Sequence, residues 1–394
     1  MKAAGLGAAA LSLPSCGITA GKKLKKEVIQ GFDETTVEDE HSGWMPVSDR
    51  KVKVGLIGNG LCKFGTAFGF QNHPNVEVVA VSDLIPERCR EMAEAAHCSK
   101  TYPSIEELVK DPEIEAVFIA TDAPSHAKHV LLALEHGKHV ACAVPAVFGS
   151  VDDAYRIIEK VKETGLKYMM FETSMFREDL HTARVLYEKG ILGKITYAEG
   201  EYFHYMPTPL DSYKGWRVGL IPQWYPTHSN AYYIGVTGGT FTEVSCMGVR
   251  SIHPTMMGDN IYKNEFGTEI ALFRTFDGGS ARMGVSWDTP GFSGEMGRVR
   301  GQKGTVYEGK FASSLDIDIS GIDLKRPPLP QGVEAGGHGG SHGRLTDEFI
   351  SAILQDRKPL VDVAKALNIT VPGIIAHQSA LRDGELLKIP QFSL

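Results

Sequence analysis

The stretch VKVGLIGNGLCKFG, Val52 to Gly65, decides how the rest of the chain is read. Its first half is a short β-branched apolar run, the composition that suits a strand buried on both faces. Its second half spaces Gly58 and Gly60 as G-x-G, so the chain can turn tightly and bring its amides close to a pyrophosphate. Similar apolar runs follow at 76–83 (VEVVAVSD), 116–121 (AVFIAT), 139–144 (HVACAV) and 166–172 (LKYMMFE). Helical stretches lie between them. PERCREMAEAAH carries Pro86 in its first turn, PSHAKHVLLALEHG closes at Gly137, and SVDDAYRIIEKVKETG is capped by Ser150, with Ala154, Ile157, Ile158 and Val161 on one face. Strand–helix alternation at this spacing predicts right-handed crossovers and a doubly wound parallel α/β sheet, a Rossmann domain over 51–171.

Asp83 ends the second run, where a carboxylate accepts hydrogen bonds from ribose hydroxyls, which favours NAD over NADP. Gly65 falls two residues later than the third glycine of the usual spacing, so a phosphate loop here is longer or differently shaped. The alternative is that these glycines serve only a tight turn. Beyond residue 171 the texture changes. KITYAEGEYFHY, TFTEVSCMGVRSI, EIALFRTFDGG, SARMGVSWDTP and GRVRGQKGTVYEG alternate and carry turn residues, as antiparallel strands do. A helix over about 178–189 precedes them, and another is expected over 225–236. Residues 172–345 thus read as an α+β domain with a large open, mostly antiparallel sheet, and 346–394 as C-terminal helices and a tail.

The chain has 394 residues, 42% hydrophobic and 23% charged, long enough for two cores. A net charge of −7, with no basic cluster in the folded part, argues against a nucleic-acid partner. Six cysteines show neither C-x-x-C nor zinc spacing, and no metal site is expected. The first 20 residues, ending around Leu13-Pro14-Ser15-Cys16, are expected to be an export signal with a possible lipid anchor at Cys16, although a plain tail reads similarly. Residues 21–50 are charged and aperiodic, a polar tether or arm.

ATDAPSHAKHVLLALEHGKHVACAVPA (120–146) and AEGEYFH (198–204) resemble the Gfo/Idh/MocA oxidoreductases, and the likeness runs from Lys51 over nearly the whole remaining chain. The resemblance implies an NAD(P)-binding Rossmann domain followed by an open-sheet domain acting on sugars or polyols. Several residues look closer to one branch, the NAD-dependent α-N-acetylgalactosaminidases of glycoside hydrolase family 109. Val144-Pro145 matches part of its Glu-Val-Pro turn, Tyr225-Pro226-Thr227-His228 its Tyr-Pro-Thr-His motif, Arg217 an upstream arginine, and His338-Gly339-Gly340 a His-Gly-Gly loop. By this resemblance Gly58, Asn59, Gly60, Leu61, Asp83, Thr121, His126, Val144, Pro145, Glu172 and Thr173 lie on the cofactor side. Tyr202, Arg217, Tyr225, Thr227, His228 and His338 lie toward the substrate. Three matches fail: Ala143 stands for the glutamate of Glu-Val-Pro, Thr173 for an asparagine, and Phe292 near a substrate-contacting tyrosine. The branch's sugar specificity is therefore not carried over.

Sugar dehydrogenases of this layout have Glu-Lys-Pro at the turn, where the lysine helps move the proton; here Ala143 and Val144 precede Pro145. A base is still needed within reach of the substrate hydroxyl. His228, whose ordinary pKa is near neutral, is the candidate, with Tyr225 polarising the oxygen or touching the nicotinamide. A redox-neutral cycle on a glycoside with tightly bound NAD is the leading expectation. An ordinary NAD(P)-dependent sugar dehydrogenase and a non-catalytic sugar-binding protein are the alternatives. An export signal implies a periplasmic or anchored protein, the dehydrogenase alternative a cytoplasmic one, and the open sheet a homo-oligomer. Each site residue also has a structural reading: His228 as a hydrogen-bonded core histidine, Tyr225 as packing, Arg217 as a stacking pair with Trp216. Glu199 and Glu201 read as a solvated sheet face, and His338 with His342 as a glycine-rich loop, not a metal pair.

Overall fold

The computed structural model describes residues 41–257, 259–292 and 294–394; the expected export signal and most of the tether lie outside them. The N-terminal sheet follows from the apolar runs. Its strands are β1 (Val52–Ile57), β2 (Val76–Ser82), β3 (Thr101–Tyr102), β4 (Ala116–Ile119), β5 (His139–Cys142) and β6 (Tyr168–Met170). All pairs are parallel, in the order β3-β2-β1-β4-β5-β6. The order reverses at β1 and β4, the crevice where doubly wound sheets bind ligands. Helices α1 (Phe64–Ala67), α2 (Pro86–Ala95), α3 (Ile105–Leu108), α4 (His126–Glu135) and α5 (Val151–Thr164) cover the sheet. The cap of α5 is the expected one: Ser150 accepts from the Asp153 amide, and the helix ends on left-handed Gly165.

The second domain begins with α6 (Glu178–Glu188) and β7 (Ile195–Phe203), then α7 (Thr227–Thr237), β8 (Phe241–Arg250), the single turn α8 (Pro254–Met257) and β9 (Phe266–Thr275). It continues through β10 (Ser280–Ser286), β11 (Gly294–Gly301), β12 (Thr305–Tyr307) and β13 (Lys310–Ala312). Helices α9 (Gly337–Gly340), α10 (His342–Leu354) and α11 (Val363–Ala380) precede the edge strand β14 (Leu387–Lys388). The eight-stranded order is β13-β12-β11-β7-β10-β9-β8-β14, antiparallel except between β7 and β10. One face is covered by helices. The other exposes Met247, Val249 and Leu272, beside Glu199 and Glu201 paired with Arg282, as a solvated face should.

Helix α7 is buried on all sides from Thr227 to Val236, which a helix tolerates only where its neighbours leave room. Gly200 of β7 and Gly297 of β11 are register partners under it. A Cβ on Gly200 would lie 2.1 Å from the Ser229 carbonyl oxygen, and one on Gly297 2.1 Å from the Tyr232 ring. Two missing side chains therefore make the seat for the helix that carries His228.

Residues 41–50, the described end of the expected tether or arm, are fastened to the body of the protein. Trp44 donates its indole N–H to Asp347 (3.1 Å), and Asn75 donates to the carbonyls of Ser48 (2.6 Å) and Arg50 (2.8 Å).

Gly200→Ala should overpack the α7 seat and cost about 1–3 kcal/mol. Urea denaturation is expected to show a lower midpoint with an unchanged slope.

Candidate functional site

One cleft runs from the β1–α1 loop to the helix-covered face of the second sheet, and it collects most of the expected site residues. At the nucleotide end, Gly58 (φ +85) and Gly60 (φ +60) adopt the left-handed backbone that favours glycine. A Cβ on Gly58 would meet the Ala120 carbonyl oxygen at 2.7 Å. The two extra loop residues are absorbed by Lys63, itself left-handed at φ 51, which caps a helix α1 of only four residues. Gly65 still does the work of a third glycine: its absent Cβ would lie 2.4 Å from Met92 Sδ and 2.7 Å from the Gly58 carbonyl oxygen. Asp83 Oδ2 accepts from the Asn59 amide and Oδ1 from the Ile85 amide, both at 2.8 Å. Each oxygen keeps a lone pair for a ribose hydroxyl. Asn59 is buried, lines the cleft, and has a side-chain oxygen without a protein partner. These residues fit a dinucleotide: close backbone, a fixed carboxylate and a spare buried acceptor.

Thr121 and Val144 line the next part of the cleft, beside Ala143. The Val144–Pro145 peptide is cis. His126 lines the cleft but its ring is engaged: Nδ1 meets the Pro145 carbonyl at 2.8 Å and Nε2 the Thr121 carbonyl at 3.2 Å. Burial holds its pKa down despite those contacts. It joins the turn after β4 to the turn after β5.

At the far end Tyr202, His204, Trp216, Arg217, Tyr225 and His228 meet, with Thr173 and His338 beside them. The Tyr202 ring lies 4.6 Å from that of His228 and stacks on Tyr225 at 6.1 Å. His228 is the second residue of α7 and 3% exposed. Its Nδ1 lies 2.8 Å from Glu172 Oε1, 3.3 Å from Thr173 Oγ1 and 3.8 Å from Glu295 Oε1. A carboxylate can only accept, so Nδ1 carries a proton and Nε2 is left to the cleft. Ser174 steadies both acids, its amide donating to Glu172 Oε1 (2.9 Å) and its hydroxyl to Glu295 Oε2 (2.7 Å).

Burial alone would lower the His228 pKa, but the carboxylates of Glu172 and Glu295 outweigh it and raise the value to about 9. Burial likewise pushes Glu295 up, and His228, His338 and Arg177 together hold it at about 2. At that value His228 rests as an imidazolium, and it can serve as the expected base only after it has released its Nε2 proton. Burial pushes Tyr225 up to about 12, so its hydroxyl stays a donor.

Three expected residues do not line the cleft. Glu172 is fully buried behind His228, Thr227 is fully buried in α7, and Pro145 turns its carbonyl to His126. Phe292 is 95% exposed, outside the cleft. His338 Nδ1 and His342 Nε2 face each other at 2.8 Å, a hydrogen bond and not a pair converging on a metal. Glu172, His228 and Glu295 do bring three donor atoms within 4.8 Å of one another. The 2.8 Å contact and the opposite charges describe an ion-pair cluster. Glu295 went unread in the sequence. Its one signal was parity, since it shares the inward face of β11 with buried Val299.

The fold and the nucleotide end define an NAD-binding Rossmann domain joined to an open-sheet domain. Residues 52–172 match the Gfo/Idh/MocA model, described as an oxidoreductase family with an NAD-binding Rossmann fold. A glycosyl hydrolase family 109 protein of Bacteroides fragilis is 32% identical over 162 residues, spanning 39% of this chain and only 35% of that relative. A family 109 protein of Solibacter usitatus is 22% identical over 389 residues, covering 87% of this chain and 88% of its own. The fold is shared with levoglucosan dehydrogenase, solved with NADH and levoglucosan, at a TM-score of 0.73 and 19% identity over 87% of this chain and 100% of that one.

The folded His228 pKa of about 9 exceeds its ordinary 6.5, so the ion pair stabilises fully below pH 6.5 and fades as pH rises through 9. NMR titration of the His228 ring should show protonation persisting to about pH 9, and Glu295→Gln should move that midpoint down.

Proposed function

We propose that the protein is an NAD-dependent enzyme acting on a sugar or glycoside, by a cycle that leaves the cofactor's redox state unchanged. The observation that carries this reading is a charged His228, held from behind by two buried carboxylates, with Nε2 turned into the cleft that the nucleotide loop shares. NAD bound at Gly58, Gly60 and Asp83 would supply reversible two-electron oxidation of a substrate alcohol.

A ketone formed at C3 of a glycoside acidifies the hydrogen on C2, so that the C1 substituent can leave and water can add. Such chemistry needs a group that both gives and takes protons at the substrate. His228 Nε2 gives its proton to a departing or forming hydroxyl oxygen. Having given it, the ring is a neutral imidazole whose Nδ1–H stays on Glu172 Oε1 across the 2.8 Å contact, and the lone pair on Nε2 then takes a proton back from a substrate hydroxyl. Tyr225 donates its hydroxyl to a substrate oxygen. Val144, in place of lysine, leaves this end of the turn apolar and the proton traffic to His228. A retained cofactor suits an exported protein, and the export signal with its Cys16 anchor and a homo-oligomer formed through the open sheet belong to this reading. The fold shared with a sugar dehydrogenase favours a second reading, net oxidation of a sugar with exchangeable NAD.

Denaturing the protein purified without added nucleotide should release near-stoichiometric NAD, measured by mass spectrometry. His228→Ala should keep the NAD and lose roughly 10²–10⁴-fold in glycoside turnover. Accumulation of NADH with substrate would favour the dehydrogenase. A protein that neither holds nor binds NAD refutes both readings.

A further inference from the structure

The substrate end of the cleft is cationic, and its acceptors are the hydroxyls of Thr173, Tyr202 and Tyr225 and the neutral His204 ring, which burial holds at a pKa of about 4. Arg217 lies with its guanidinium 4.2 Å above the centroid of buried Trp216, so one face is committed to the ring, and part of its N–H edge is directed at the Tyr225 hydroxyl. Its backbone is fixed by Ser212 Oγ accepting from its amide (3.3 Å) and by its carbonyl accepting from the Leu220 amide (3.2 Å). Among the described residues no carboxylate lies within 4 Å of that guanidinium, a lack shared by Arg88, Arg184 and Arg300, whereas Arg177, Arg282, Arg298 and Arg357 each have one. Its charge acts on Cys62, Tyr202, His204 and Tyr225, which places it over the middle of this end. Lys214 also lines the cleft, its Nζ 5.1 Å over the Tyr213 ring, and His228 adds a further cation whose two carboxylates sit behind it and do not line the cleft.

The acids that do line the cleft are placed or occupied elsewhere. Asp83 is bonded to loop amides, Glu106 is paired with Lys128, and Asp122 accepts from Ser125. Asp211 is exposed and beyond ion-pair distance of Arg217. A neutral sugar brings hydroxyls that need acceptors as much as donors. An arginine offers five donors and no acceptor, in a fork that matches a planar carboxylate at two points.

We propose that the substrate is an acidic sugar, a uronic acid or its glycoside, whose carboxylate pairs with the Arg217 guanidinium held on Trp216. The proposal rests on the sugar reading above and adds the class of sugar. The carboxylate offsets the unpaired cation, while the rest of the ring stays available to His228 and Tyr225. Arg217 is then a specificity residue with a contact of its own.

The test is calorimetric binding to the NAD-saturated protein. The ligands are methyl hexopyranosiduronides of gluco, galacto and manno configuration, in both anomers, set against the matching neutral methyl hexopyranosides and hexoside 6-phosphates. At least one uronide should bind roughly 10–100-fold more tightly than its neutral counterpart, the gain of a charge-assisted two-point contact. Arg217→Gln should remove that preference, Arg217→Lys should restore part of it, and bound NAD should stay unchanged in both. Uronides that bind no better than neutral glycosides, or not at all, overturn the proposal. So does a preference that survives Arg217→Gln, or a stronger preference for the 6-phosphates. If the protein holds no NAD yet shows an Arg217-dependent uronide preference, the redox reading fails and this inference stands.

Discussion

An imidazolium buried between two carboxylates imposes a demand on everything around it. Glu172 comes from the end of the Rossmann sheet, His228 from a helix of the second domain and Glu295 from a strand beneath that helix. None of the three is more than 3% exposed. Charges in such a place are tolerable only together: removing one partner of a buried pair typically costs about 3–5 kcal/mol, because the survivor is left uncompensated. The cluster therefore fixes how the two domains meet, and through them where the nucleotide loop faces the substrate end. Arg177, 3.9 Å from Glu295 and 3.8 Å from Asp179, extends the same balance toward α6.

This arrangement explains how a lysine can be absent from the turn after β5 without emptying the site of proton chemistry. A lysine there would have to lose its charge to act as a base. Here the titrating group is an imidazole at the second position of a helix, and its protonation is set by acids on its far side. Neither of these two acids lines the cleft, so proton affinity and substrate recognition are controlled by different residues. Glu172 and Glu295 tune His228, while Trp216 and Arg217 meet what binds.

The parts of the molecule built from local pattern were open to reading from the chain. The five long apolar runs, the G-x-G turn and Asp83 lie within about 120 residues and repeat one supersecondary unit, so each confirms the next. The tyrosines, arginine and histidine that the family resemblance put toward the substrate do line the cleft. What spacing could not carry was partnership across the chain. Glu295 meets a serine 121 positions earlier, and Trp44 meets Asp347, 303 positions later; no periodicity encodes either contact. Glu172 was placed on the correct strand end and assigned the wrong neighbour, since a strand terminus does not say which way its last side chain turns. His228 was read at its ordinary pKa because its acids were not yet beside it. The late glycine at 65 suggested a changed loop, and only the left-handed Lys63 explains how its packing role survived.

The two glycines beneath α7 give the site an uneven capacity for change. A seat made of absent side chains has nothing to repack: no rotamer can shift to accommodate a larger neighbour, and a single methyl meets backbone or ring at once. The segment from Leu210 to Arg217, by contrast, is a connection whose side chains reach the cleft from a partly exposed loop. Divergence in what this protein recognises is thereby channelled into that loop, while the histidine's position is held constant. A lineage descended from this chain could exchange one ligand for another many times over and still present the same ring nitrogen to each.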